Sequence, residues 1–310
     1  MSMIDDILHV NKKRVVQRYW LISDLQQSEP AIAKYCMDTA MADFHQLNMD
    51  VNGICYLGDA TQGADRTALD TMISMQLKHF TTIPAPVYYT SGNHELDPLR
   101  AALQKGENPE LYFYEKIKDL HQWRTVKNQT DFYFYEDVGD FVMFFFPDHA
   151  APDGSWYTTH GTVQPDASAY PHSKEDYEKV RQLMADAGKP VFIFSHYAFP
   201  GGNREAELFR QMFPLPSNVR GHFSGHAHIG DAVWAGKDLY RKMACIDDHP
   251  IMQFDIASLD CVRGSTVRSA FFEYYGSGEY GVFFRDHIGQ LWEDCYIGSL
   301  SPARRNTPEF

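Results

Sequence analysis

The sequence predicts an α/β fold with sheets covered by helices on their outer faces, and three observations carry that expectation. Short apolar runs rich in β-branched and aromatic residues alternate with helical patterns through the first two-thirds of the chain. The C-terminal third changes character and is strand-rich. Five of the apolar runs end in an aspartate, asparagine or histidine, at the place where open α/β sheets put their ligands.

The first strand is VVQRYWLIS (15–23), followed by a helix from Pro30 to Leu47 that begins with proline where a first turn tolerates it. VNGICYLG (51–58), a helix from Ala64 to Phe80, and APVYYTSG (85–92) continue the alternation. A helix over Pro109–Leu120 precedes DFYFYEDVGDFVMFFFPD (131–148), which reads as two strands joined in a hairpin across Glu136–Asp140. A helix from Lys174 to Ala187 closes at Gly188 and Pro190, and the strands KPVFIFS (189–195) and Asn218–Ser224 follow. From Ile251 onward come IMQFDIAS, SAFFEYY, YGVFFRDH and LWEDCYI. Without repeats or a linker, residues 1–310 read as one domain, with a motif-bearing core of about 15–232 and residues 251–298 completing a second, more antiparallel sheet. The irregular stretches 147–173 and 200–218 are the expected carriers of specificity.

Composition narrows the functional classes. With 44% hydrophobic and 14% aromatic residues among 310, the chain can build a substantial core. Its 41 acidic against 28 basic side chains give a net charge of −13, which opposes nucleic-acid phosphates, and Lys12-Lys13-Arg14 is the longest basic run. Five scattered cysteines without C-x-x-C spacing suit reduced thiols in a cytoplasmic protein, and no apolar segment reaches signal or membrane-span length.

Chemistry concentrates at the strand ends. Asp24 and Gln26 follow the first strand, Asp59 the second, Asn93 and His94 the third, His196 the run KPVFIFS, and His226 and His228 the strand over Asn218–Ser224. Residues i and i+2 of an extended chain point the same way, so His226 and His228 leave that strand together, while His222 belongs to its body.

The ordered blocks SDLQ (23–26), GDATQGADR (58–66), SGNHE (91–95), SHY (195–197) and SGHAH (224–228) strongly resemble the calcineurin-like metallophosphoesterase superfamily, whose blocks are D-x-H, G-D-x-x-D, G-N-H-[ED], a lone His and G-H-x-H. The resemblance spans roughly residues 18–230. It implies a four-layer α/β/β/α sandwich, two mixed sheets flanked by helices, with two divalent metals. One metal would be held by Asp24, Gln26, Asp59 and His228, the other by Asp59, Asn93, His196 and His226, with Asp59 bridging. In such a centre a metal-bridging hydroxide attacks phosphorus in line, and His94 resembles the family histidine that protonates the leaving oxygen.

Two positions depart from the family pattern. Gln26 stands where the family usually has His, and Gln62 stands at the fourth position of the G-D block, with Asp65 further along the loop. An amide oxygen in place of imidazole weakens the first site and tilts the centre towards Mn or Fe, with Zn and Mg as the other candidates. The alternative is that Gln26 hydrogen-bonds to a ligand without itself ligating, and the first metal is loosely held. Asp148, His149 and Tyr197 are candidates for the substrate mouth, each with an alternative as a packing or surface group; Arg66, His160 and His172 read as surface residues. The expected function is hydrolysis of a small phosphomonoester. A small-molecule phosphodiesterase and a non-catalytic scaffold that keeps the fold are the alternatives, and the intact His94 argues against the scaffold. No nucleic-acid or membrane partner is expected.

Overall fold

Four consecutive residues of the first strand show how the layers arise. Tyr19, Trp20, Leu21 and Ile22 are all buried, so the strand must be covered on both faces. Trp20 and Ile22 pack with helix residues Ala33, Met37, Ala40, Met41 and Phe44, whereas Tyr19 and Leu21 pack with Phe141, Phe192 and Phe272. Side chains of period two thus divide one strand between a helix layer and a second sheet.

In this computed structural model the described residues are 15–62, 66–95, 117, 120, 122–127, 131–147, 149–150, 156–158, 161–162, 174–198, 214–228, 241–246 and 249–300. The strands in chain order are β1 (Val15–Ile22), β2 (Gly53–Leu57), β3 (Val87–Thr90), β4 (Trp123–Arg124), β5 (Phe134–Asp137), β6 (Val142–Phe146), β7 (His149–Ala150), β8 (Trp156–Thr158) and β9 (Gly161–Thr162). They continue with β10 (Val191–Ser195), β11 (Val219–Ser224), β12 (Arg241–Ile246), β13 (His249–Asp255), β14 (Arg268–Tyr275), β15 (Glu279–Asp286) and β16 (Leu291–Ser299). Three helices are described: α1 (Pro30–Leu47), α2 (Arg66–Phe80) and α3 (Lys174–Asp186). One sheet has the order β16-β15-β14-β1-β2-β3-β4 and the other β12-β13-β11-β10-β6-β5, with a small β7-β8-β9 sheet besides.

Both large sheets are mixed. β1 to β4 run parallel, as do β6, β10, β11 and β13, and antiparallel strands complete each sheet. Between the sheets lies an aromatic core that includes Tyr88, Phe145, Phe192, Phe194, Phe223, Phe254 and Phe272. Each such ring contributes roughly 1.5–3 kcal/mol by leaving water. On the outer face of the second sheet, Val142, Phe144, Val191 and Ile193 meet Tyr177, Val180 and Met184 of α3. The layers are therefore helix, sheet, sheet, helix, as expected.

The predicted hairpin joins β5 to β6, and α1 begins at Pro30 and ends at Asn48, whose left-handed φ of 49° accommodates the cap. The helix expected over Pro109–Leu120 lies largely outside the described residues, as do most of the loops 147–173 and 200–218. One expectation needs correction: the C-terminal strands do not complete the second sheet alone. β13 does join it beside β11, but β14, β15 and β16 extend the first sheet from the outer edge of β1. That edge would otherwise present unpaired backbone groups, and Trp20 and Phe271 stack across the junction at 6.1 Å. Among the described residues no helix is long and apolar enough to cross a membrane.

Away from the strand ends, one buried polar network ties α1 to β15. Trp20 Nε1 donates to Ser269 Oγ at 2.7 Å, and Ser269 Oγ lies 2.7 Å from His287 Nε2. His287 Nδ1 lies 2.8 Å from Asp43, which also receives two bonds from Arg285 at 2.7 and 2.8 Å. The serine oxygen accepts from the indole N–H and keeps its own proton, so it can donate on to Nε2 of a neutral imidazole. Burial holds His287 below its usual pKa despite Asp43, while bonds from Arg285 and His287 hold Asp43 below the carboxylate range in spite of its own burial. In both cases the unfolded chain takes up protons first as the pH falls. Stability is therefore expected to decline as pH drops below 6.5, the ordinary histidine value, and further below 3.8, that of aspartate. At pH 7, Asp43→Asn should cost about 3–5 kcal/mol by leaving Arg285 buried and unpaired, read from urea unfolding.

Candidate metal centre

The strand-end blocks meet at one edge of the paired sheets. β1 and β2 are parallel neighbours, so the turns that follow them emerge side by side. There Asp24 N–H donates to the Gly58 carbonyl at 3.0 Å and Gln26 N–H to that of Asp59 at 3.1 Å. On the facing sheet β10 and β11 are also parallel, and Gly225 N–H donates to the His196 carbonyl at 3.0 Å. Among the bonds that cross between the sheets are those of His226 N–H to Asp24 Oδ2 and of His196 Nδ1 to the Leu57 carbonyl, both at 2.8 Å.

This proximity requires glycine at two points. A Cβ on Gly92 would meet Asp59 Oδ1 and lie 2.8 Å from the Asp59 nitrogen, and one on Gly225 would meet Ser23 Oγ and Asp24 Oδ2. The backbone is strained here as well. Asp24, Gln26, Asp59, His226 and His228 have φ of 55°, 23°, 53°, 69° and 45°. A non-glycine residue in this region costs of order 1 kcal/mol or more, and such residues gather at functional sites.

Asp24 and Asp59 are fully buried. One ligand-type atom from each of Asp24, Asp59 and His228 lies within 4.8 Å of the others, and the same holds for Asp59, His196 and His226. Asp59 belongs to both groups. Asp24 Oδ1, Asp59 Oδ2 and Gln26 Oε1 are buried without accepting a hydrogen bond. Their neighbours are imidazole nitrogens: His228 Nε2 is 3.2 Å from Asp24 Oδ1, and His196 Nε2 is 3.1 Å from Asp59 Oδ2. Two donors each about 2.0–2.1 Å from a shared cation, at a tetrahedral angle, stand about 3.3 Å apart. Because His196 Nδ1 donates to a carbonyl, its Nε2 carries the lone pair, the tautomer a metal needs. The donor set fits a pair of cations.

Burial raises the Asp24 carboxyl, but the neighbouring imidazoles of His228 and His196 outweigh that and hold it at about 2. Burial, then the neighbouring His196, pushes His226 down to about 4, so its ring is neutral and available as a donor near neutral pH. Glu95 moves the other way. Burial and the charge of Asp59 raise it to about 7 against the pull of its backbone donors.

Glu95 is one of several supporting residues that sequence reasoning did not single out, although it closes the SGNHE block. Its carboxylate accepts the backbone N–H groups of Asp59 at 3.0 Å, Ala60 at 2.5 Å and Gly92 at 2.6 Å, which fixes the second and third turns together. Ser258 donates to the Asp24 carbonyl at 2.9 Å and lies 3.3 Å from His228 Nδ1. Asp260 accepts from Gln27 Nε2, and its Oδ2 is 3.8 Å from His228 Nδ1. Ser258 closes the run IMQFDIAS and Asp260 follows two residues on, both past the end of β13.

The structure brings Asp24, Gln26, Asp59, Asn93, His94, His196, His226 and His228 to this one edge. His94 N–H donates to Asp59 Oδ1 at 3.0 Å, and its Nδ1 lies 3.2 Å from the Gln62 carbonyl. Tyr197 is buried, donates to Asn93 Oδ1 at 2.7 Å, and packs against His226 with ring centroids 4.2 Å apart. His222 lies in the body of β11, with Nε2 2.7 Å from Ser195 Oγ. His149 falls in β7 with its side chain outside the described set; Asp65, Asp148, His160 and His172 lie outside the described residues, and Arg66 opens α2.

A buried donor set of this form, at the carboxyl ends of strands from two facing sheets, could hold a pair of cations. The family model for calcineurin-like phosphoesterases matches residues 17–230, and the chain belongs to that family. Among solved structures it is similar to a dimetal phosphatase from Danio rerio, at 12% identity and a TM-score of 0.60, over 93% of this chain and 100% of that one. It is also similar to a purple acid phosphatase from yellow lupin (Lupinus luteus) seeds, at 12% identity and a TM-score of 0.51, over 91% of this chain and 53% of that one. At such identities these likenesses show the shared fold. No curated protein matches the chain in sequence.

Gly225→Ala tests the packing directly. Its methyl group would press on Asp24 and Ser23, so stability should fall by about 1–3 kcal/mol. Metal-dependent phosphatase turnover should fall at least tenfold, measured on protein whose circular dichroism matches wild type.

Proposed function

We propose that this metallophosphoesterase is a phosphomonoesterase for small esters, working with two divalent cations. Asp24, Gln26, Asp59 and His228 would hold one, and Asp59, Asn93, His196 and His226 the other. The observation that carries the reading is Asp59, shared by both donor groups, with a buried Oδ2 that accepts no hydrogen bond. Gln26 Oε1, equally buried and without a donor, supports direct ligation by the amide oxygen. Carboxylate and amide oxygens beside imidazole favour Mn or Fe over Zn.

When bound, the cations supply Lewis-acid charge for phosphoryl oxygens and acidify a water into a nucleophile near neutral pH. The chain supplies the remaining parts. The His94 backbone occupies Asp59 Oδ1 and so directs Oδ2 to the centre. A carbonyl can only accept, so His94 Nδ1 carries the proton of the bond to Gln62, and in the protonated, imidazolium form the Nε2–H is the group that would give its proton to the leaving oxygen. Tyr197 orients the Asn93 amide, and Glu95 keeps the turns of Asp59 and Asn93 in register.

A net charge of −13 supports a compact ester as substrate, because long nucleic acid would meet repulsion with little counterion release. Cys36, Cys55 and Cys261 are free thiols, in keeping with a cytoplasmic protein. With added Mn, wild type is expected to hydrolyse 4-nitrophenyl phosphate faster than bis(4-nitrophenyl) phosphate and to leave duplex DNA intact. His94→Ala should keep its metal and lose turnover by roughly a hundred- to ten-thousand-fold. Metal loss in that variant would make His94 a ligand or ligand-orienter, and a faster diester reaction would overturn the monoester reading.

A further inference from the structure

Arg263 lies outside every strand-end block, yet it reaches the same edge. Its segment is bound to the exit of β1, with Leu259 N–H donating to the Ser23 carbonyl and Asp260 N–H to that of Asp24, both at 3.0 Å. Asp260 then closes a tight turn. Its carbonyl accepts from Gly264 N–H at 2.9 Å, and its Oδ1 accepts from Val262 and Arg263 N–H at 2.8 and 3.3 Å. From this turn the Arg263 side chain crosses to the loop after β2, where Nη2 donates to Gln62 Oε1 at 2.8 Å. Gln62 is also the residue whose backbone carbonyl contacts His94 Nδ1 at 3.2 Å. One residue therefore holds both the guanidinium and the imidazole.

We infer that Arg263 is a substrate-binding residue that holds a second anionic group, a phosphate or a carboxylate, on the leaving-group side of the centre. The inference rests on the reading of His94 and the metal centre proposed above. Three features support it. The acceptor at Gln62 is neutral, so it positions the guanidinium without cancelling its charge. Among the described residues the carboxylate beside it is Asp260, whose Oδ2 stands 3.7 Å from Nε, within ion-pair range but beyond a hydrogen bond, and also faces His228 at 3.8 Å. The side chain is 43% exposed, which leaves its guanidinium open to solvent and to a ligand beyond the contacts with Gln62 and Asp260. A guanidinium has five N–H donors in a planar fork that matches phosphate and carboxylate, and one fixed before binding gives up less entropy on binding. A second anion beside a phosphoryl group would otherwise meet the negative field of the whole chain.

The test is calorimetric binding to protein kept replete in a fixed excess of MnCl2. Wild type, Arg263→Gln and Arg263→Lys are compared with orthophosphate, pyrophosphate and phosphonoacetate. Arg263→Gln is expected to weaken pyrophosphate or phosphonoacetate about 10- to 100-fold, the effect of losing a charge-assisted hydrogen bond. Orthophosphate should change no more than about twofold. The lysine variant should recover part of the loss. The probe that weakens more identifies the second anion as phosphate or carboxylate. Equal affinities in wild type and Arg263→Gln, or a loss shared by orthophosphate, would overturn the proposal, the latter by showing a structural role. Turnover of 4-nitrophenyl phosphate by wild type is scored separately: its absence would sink the hydrolase reading while the binding comparison still decided the fate of Arg263.

Discussion

Two buried carboxylates in close approach are the constraint on which the site depends. Asp24 and Asp59 are fully buried and come within 4.8 Å of a common imidazole and of each other. Desolvation and mutual repulsion both disfavour such a pair, and each carboxylate keeps an oxygen that accepts no hydrogen bond. Cationic charge at that point resolves the conflict, and the two cations proposed for the centre would supply it. Before they bind, the fold holds the carboxylates in place through the left-handed backbone at Asp24 and Asp59 and the bonds between their turns.

The four-layer arrangement is what makes this constraint bearable. β1 and β2 bring their turns together because they are parallel neighbours, and β10 and β11 do the same for His196 and the His226/His228 pair. The aromatic core between the sheets sets their separation, so that His226 N–H and His196 Nδ1 can bond across to Asp24 and Leu57. Glu95 then links the turn of Asp59 to that of Asn93 through three backbone donors. Strain in the turns is thereby offset by cooperative bonding and by burial remote from the chemistry.

Much of this was legible in the sequence, and the physical reason is local. A ligand at a strand end directly follows an apolar run of β-branched and aromatic residues, so run and ligand are read together at Asp24, Asp59, Asn93, His196 and His226. The helix cover was legible in the alternation of strand-like and helical runs, and the four layers followed from the family resemblance of the strand-end blocks. What sequence reading missed depends on long-range pairing. Nothing in SAFFEYY states that β14 takes the edge of β1 instead of extending the second sheet. Ser258, Asp260 and Arg263 reach the site only because the segment after β13 bonds to the Asp24 backbone. Tyr197, weighed as a substrate contact or a packing residue, is buried against His226 and holds Asn93.

The central claim is that Asp59 bridges two cations, and diffraction recorded at the Mn absorption edge from crystals grown with MnCl2 tests it most directly. The account predicts two anomalous peaks about 3.5–4 Å apart, one on each side of the Asp59 carboxylate, with Gln26 Oε1 against the peak shared by Asp24 and His228. A single peak, or two peaks of which neither contacts Asp59, would contradict it.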